Sequence, residues 1–125
     1  MPTVLRSFPE ISRVGHQETG WSAPIPASIH SLRLEGVASD AVFSDLTKSM
    51  DIVILLSPDG TDATQQEAYR EHWTGGTHGN KTGGMDPNRI DVGFGPLEQY
   101  VGWRVKLSVD IPVAMVLGAT VTSLP

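Results

Sequence analysis

Met50-Asp51-Ile52-Val53-Ile54-Leu55-Leu56-Ser57, closed by Pro58-Asp59-Gly60, is the stretch whose reading decides the fold. It is the longest apolar run in the chain, and five of its eight residues are Ile, Val or Leu. A run this short and this rich in branched residues fits a strand with both faces covered. Pro-Asp-Gly then supplies a turn. Proline presets φ, Asp bonds its own backbone, and Gly takes positive φ.

A hairpin through this turn is the simplest continuation. Thr64-Gln65-Gln66-Glu67 matches a helix capping box, with Ala68, Tyr69, His72 and Trp73 as a helical stripe. The same residues also read as a strand, in which Tyr69, Glu71 and Trp73 alternate with Ala68, Arg70 and His72. The strand is preferred. Thr74–Asn88 follows as a long loop with five glycines in fifteen residues. Loops of this length inside a compact domain are often functional or ordered by a partner. Arg89–Phe94 reads as a strand with Ile90, Val92 and Phe94 inward, ended by Gly95-Pro96. Trp103, Val105, Leu107 and Val109 alternate with Arg104, Lys106, Ser108 and Asp110, the cleanest period of two in the chain. Val116–Leu124 is the last strand, with Leu117, Ala119 and Val121 on one face.

Upstream, Ile29–Val37 places Leu32 and Leu34 against Ser31, Arg33 and Glu35, so one face is wet. Ser39–Ser49 reads as a loop with at most one helical turn near Asp45-Leu46. Pro24 and Pro26 keep Trp21–Ala27 extended. Residues 1–20 carry a short strand at Val4–Phe8, ended or pushed to a sheet edge by Pro9. A polar loop, Gly15–Gly20, follows. This segment is an N-terminal arm packing on a neighbour or, as preferred, an edge segment. Residues 21–125 form the single β-sandwich domain. Seven or eight short strands without strand–helix alternation predict an all-β, antiparallel, jelly-roll-like sandwich.

The chain has 125 residues, the size of one domain with a self-sufficient core. Thirteen Gly and nine Pro suit a fold with many turns. It has no Cys, which excludes thiol catalysis, thiolate zinc sites and a disulfide scaffold. Nine basic against fourteen acidic residues give a net charge of −5, with no basic face for nucleic acid. No run approaches the roughly 20 apolar residues that cross a bilayer. Met1–Arg6 has no apolar segment of a secretory signal.

Candidate chemistry does not assemble. Gly75–Thr82 resembles a phosphate loop, but Asn80 separates Gly79 from Lys81, and Gly83-Gly84 with Pro87 precludes the helix that must follow. Asn80-Lys81-Thr82 matches a glycosylation sequon by chance. His16, His30, His72 and His78 lack metal-ligand spacing, although His72 and His78 could meet at the loop base. Asp59 and Asp62 lack the further carboxylates of a calcium loop. Glu67 with Glu71, or Asp91 with Asp110, could be opposed across a sheet as in a glycosidase, or could simply be solvated. Trp21, Trp73, Trp103, Tyr69 and Tyr100 could form a sugar platform, but core packing is the ordinary role of such aromatics. Trp103 is placed in the core with Ile52, Ile54, Leu56, Val105 and Leu107. No enzyme, cofactor or metal is expected.

The order of features resembles small β-sandwich proteins of tailed-bacteriophage virions, of head-decoration or tail-associated type. The matching residues are Trp21, Pro24 and Pro26 before Ser31-Leu32-Arg33-Leu34, then Met50–Leu56 with Ser57-Pro58-Asp59-Gly60. Trp73-Thr74-Gly75-Gly76 and Gly102-Trp103-Arg104-Val105 complete the pattern, over roughly residues 20–122. The resemblance implies a non-enzymatic structural protein in a virion assembled in the host cytoplasm. It would contact other capsid or tail subunits, as repeated copies, without nucleic acid or membrane. Thr77, His78, Lys81, Met85, Arg89 and Trp73 are the expected partner-binding residues. The Ser57-x-Asp59-Gly60 hairpin also resembles carbohydrate-binding modules, in which a Trp follows closely; here the next Trp is Trp73.

Overall fold

The computed structural model describes residues 2–38, 47–74 and 88–125. Eight strands lie within them: β1 (Thr3–Ile11), β2 (Gly15–Glu18), β3 (Ser31–Ala38), β4 (Ser49–Ser57), β5 (Gln66–Thr74), β6 (Asn88–Phe94), β7 (Arg104–Ile111) and β8 (Leu117–Leu124). They form two four-stranded antiparallel sheets, ordered β1-β8-β3-β6 and β2-β7-β4-β5. Only β4 and β5 are neighbours both in sequence and in one sheet. Every other step along the chain changes sheet. That order is a double Greek key, so the protein is a jelly-roll β-sandwich.

The founding stretch is β4, an inner strand between β7 and β5. Ile52, Ile54 and Leu56 are fully buried, and their β7 partners Val109, Leu107 and Val105 are at most 1% exposed. Leu32 and Leu34 on β3, with Leu117, Ala119 and Val121 on β8, close the core from the other sheet. The outer face of β4 differs from a strand covered by another layer. Val53 is 9% exposed and Leu55 is half-buried, flanked in register by Arg70 and Glu67 of β5. The outer side is apolar because long charged side chains flank it, not because a second layer does.

Residues 66–74 are a strand, as the alternation indicated. The turn before it is built by hydroxyls. Ser57 Oγ accepts from the backbone N–H groups of Asp59, Gly60 and Thr61, at 3.3, 3.0 and 3.2 Å. The hydroxyls of Thr64, Thr61 and Ser57 all donate to Asp59 Oδ1 and hold its carboxyl down at about 2. Gly60 takes φ +75°. Asp59 is therefore committed to the turn.

Three further sequence expectations change along the strands. Pro9 does not end the first strand: β1 runs on to Ile11 through a register shift at Phe8/Ile11, with Glu10 at φ +78°. A bulge is one of the few places where a strand accepts proline. Gly15–Glu18 is an edge strand on β7, not a loop. Trp103 is half-buried and precedes β7, set edge-to-face against Tyr100 with ring centres 4.8 Å apart.

β2 is short, and the chain after it continues the rail along β7. Ser22 N–H donates to Val105 O at 2.9 Å, and Val105 N–H donates to Ser22 Oγ at 3.0 Å. Thr19 does the same for Leu107, through backbone and Oγ1 at 3.1 and 3.0 Å. Ser22 is 3% exposed. Ser22→Ala removes the acceptor of a buried amide, and this is expected to cost about 1–3 kcal/mol. Urea unfolding of Ser22→Ala beside Ser22→Thr checks it: loss in both variants alike would point to packing instead of the hydroxyl.

Candidate functional site

Strand pairing sets which loops share an end of the sandwich. Ile11 and Ala38 both pair with Leu117, Ala38 with Asn88, Gly15 with Ile111, and Ser49 with Thr74. The connections β1–β2, β3–β4, β5–β6 and β7–β8 therefore all leave from one end. Val14, Val37 and Val116 belong to this end and are 60%, 40% and 45% exposed. They are three of the five exposed large hydrophobic side chains among the described residues.

Beside Val37 the outer surface of the β1-β8-β3-β6 sheet is hollowed into a depression of about 480 Å³. Pro9, Glu10, Val37, Gly118 and Thr120 are among the residues that line it. Gly118, opposite outward-facing Val37, adds no side chain to this face. A Cβ on Gly36 would stand 2.5 Å from Gly118 O, which is backbone and cannot swing aside. Glycine at 36 is thus required for β3 and β8 to approach this closely.

The outer face of the other sheet is charged. His16 on β2 pairs with Asp110 on β7, and His72 on β5 pairs with Asp51 on β4. Ile52 pairs with Val109, which puts Asp51 and Asp110 opposite each other one step along the antiparallel ladder. Histidine, aspartate, aspartate and histidine thus cross all four strands in one row. His16 Nδ1 is 2.8 Å from Asp110 Oδ1, and His72 Nδ1 is 2.5 Å from Asp51 Oδ1. Arg70 takes the other oxygen of Asp51 at 2.7 Å and also pairs with Glu67. A polar groove of about 480 Å³ runs along this face past Asp51, Glu67, Arg70 and Asp110.

Lys106 sits on the same sheet, yet its side chain is only 3% exposed. Its ammonium lies 4.8 Å from the centre of the Trp21 ring and donates to Asp62 at 2.8 Å and Glu18 at 3.1 Å. Burial pulls its pKa down, but those two carboxylates outweigh it and hold the group above its ordinary value. Lys106, with the Trp21 N–H at 3.1 Å, in turn lowers Asp62. The cluster pins the segment after β2 onto the sheet, and every charge in it is satisfied.

The sequence-predicted site residues fare unequally. Trp73 is fully buried in the core, so its ring cannot touch a partner. Arg89 lies on β6 opposite Val37. Thr77, His78, Lys81 and Met85, and with them the phosphate-loop, sequon and His72–His78 readings, lie outside the described residues. The paired carboxylates proposed for a glycosidase do not converge. Asp91 and Asp110 are on different sheets, and Glu71 pairs with inward-facing Ile52 whereas Glu67 pairs with outward-facing Leu55. The aromatics share no platform: Trp73 is in the core, Trp21 covers Lys106, and Tyr69 stacks on Phe94 at 5.0 Å. No group of three or more His, Asp or Glu among the described residues is arranged to hold a metal. The sequence reading missed the row from His16 to His72, because strand register creates it and no spacing along the chain encodes it. Val14 and Val116 carried a weak signal as lone apolar residues beside turns.

No protein-family model matches this chain, and no curated protein does. Among solved structures it is similar to murine APRIL crystallised at pH 8.5, with 13% identity and a TM-score of 0.43, over 99% of this chain and 100% of that one. It is similar to murine APRIL at pH 8.0 as well, with 12% identity and a TM-score of 0.44 over the same shares. The jelly-roll assignment rests on the strand order of this chain itself.

Proposed function

We propose that the chain is a virion structural subunit that works through contacts with neighbouring capsid or tail subunits and carries no chemistry of its own. One observation supports this above others: Val14, Val37 and Val116 are exposed together at one end of the sandwich, beside a depression lined partly by Val37. Lone surface valines are ordinary, but exposed apolar side chains that share one end of the fold favour a contact surface there. A rigid jelly roll presents such an end in the same geometry in every copy, which repeated assembly requires. The partner surface is apolar at its centre. The resemblance to tailed-phage virion proteins supplies the kind of assembly, with the copies taken up as particles form in the host cytoplasm.

Co-expression with the structural proteins of the virus that carries it, followed by density-gradient purification of particles, tests the reading. The wild-type chain is expected in the particle band. Val37→Asp combined with Val116→Asp is expected to lower occupancy about tenfold or more, equivalent to about 1.4 kcal/mol of contact energy, without lowering the melting temperature of the isolated chain. A wild-type chain absent from particles, or a double variant incorporated as well as wild type, overturns it.

A further inference from the structure

We infer that edge strand β2 is fastened to the sandwich by a pH-dependent latch, in which the protonated imidazole of His16 bridges Asp110 of β7 and Glu18 of its own strand. The inference is independent of the virion reading. β2 pairs with β7 over only Gly15–Glu18; Lys106 ties its last residue, Glu18, and the His16–Asp110 contact is the side-chain tie near its first. His16 Nδ1 is 2.8 Å from Asp110 Oδ1, and Nε2 is 3.5 Å from Glu18 Oε2. Both ring nitrogens therefore face carboxylate oxygens: the Asp110 contact is a hydrogen bond, and the Glu18 contact is a charge pair that only the protonated ring gains.

The groups around His16 reinforce the demand for positive charge. Asp51 of β4 stands opposite Asp110, and two carboxylates so placed repel each other. His72 and Arg70 of β5 satisfy Asp51 from the far side. Lys106 of β7 satisfies Glu18 but is also engaged with Asp62. Within this row, His16 is the residue that answers Asp110. The hydrogen bond to Asp110 is the main cause that raises the imidazole above its ordinary 6.5; slight burial opposes it, and Glu18 adds to it.

The direction follows from linkage. A group whose pKa is raised on folding contributes stability that is fully present below the unfolded value and is lost as pH rises through the folded value. The latch is closed below the ordinary histidine value of 6.5 and opens as pH rises through the raised value of His16. Opening releases β2 from the outer edge of β7 and moves Val14, which immediately precedes β2.

Amide hydrogen exchange on the full chain, corrected for the intrinsic pH dependence of exchange, tests the latch. Between about pH 5.5 and pH 8, the range in which histidine titrates, protection of the β2 amides in wild type is expected to fall about two- to five-fold, the size of an exposed ion pair. Protection in the centre of β4 should not change. His16→Gln keeps a neutral donor and should flatten the response. Asp110→Asn should flatten it too, and should bring the His16 titration, followed by its ring proton resonances, down toward 6.5. A pH response in His16→Gln equal to wild type, or β2 protection that does not change with pH in wild type, overturns the latch.

Discussion

Trp73→Ala is expected to destabilise the protein by about 3–5 kcal/mol. Trp73 is fully buried, the largest side chain in the core, and sits opposite Met50 on β4. It comes from β5, the edge of its sheet, so the cavity opens between an edge strand and the core. Neighbouring strands hold the inner wall of that cavity and limit its collapse. The loss therefore combines missing indole contacts with residual void, the two terms that govern large-to-small changes. Trp73→Phe should recover part of it. Trp103→Ala, at a half-buried ring packed on Tyr100, should cost less. Denaturant unfolding followed by circular dichroism checks the order, and Trp73→Ala within about 1 kcal/mol of wild type would contradict the burial described above.

The prediction at Trp73 also shows where sequence reading succeeds and fails. Alternation placed Trp73 on a strand with Tyr69 and Glu71, and β5 is that strand. Alternation does not say which alternating set faces the core of an edge strand, where both sets mix polar and apolar residues. β7 posed no such difficulty, because Val105, Leu107 and Val109 form one uninterrupted apolar set. The core faces of β3 and β8 were legible on the same ground. β2 was not, because His16, Gln17 and Glu18 carry no apolar period at all. Backbone pairing with β7 and the His16–Asp110 contact place it. The continuation of β1 past Pro9 depends on a bulge, which is a property of two strands together and not of one sequence.

The charged row was illegible for a related reason. His16 and Asp110 are 94 positions apart, and Asp51 and His72 are 21 apart. Their meeting depends on the order β2-β7-β4-β5 and on register, in which a slip of one residue would turn each side chain to the other face. Lys106 makes the same point with opposite sign. Its position in the period marks a wet face, yet Trp21 folds over it and leaves it buried. The residues between β2 and β3 are irregular, and no pattern in them predicts where that ring goes.

Leu56→Ala is expected to cost about 2–5 kcal/mol, and Leu55→Ala, one residue away, under about 1 kcal/mol. The two residues differ only in the direction of their side chains. Leu56 is fully buried, pairs with Val105 on one side and Gln66 on the other, and faces the opposite sheet. Its four side-chain carbons fill space bounded by strands on both flanks, so truncation leaves a void that β4, held by β5 and β7, cannot close. Leu55 points outward between Lys106 and Glu67, where solvent and long side chains can fill the gap. A bulge next to it, between Ile54 and Leu55, already loosens the pairing with β5. Thermal and urea unfolding of the two variants measures the asymmetry of the strand directly. A strand with both faces covered would lose comparable amounts at both positions. Equal losses would therefore restore the reading of Met50–Ser57 as doubly covered, and a ratio above about two would confirm that one face of β4 carries the core.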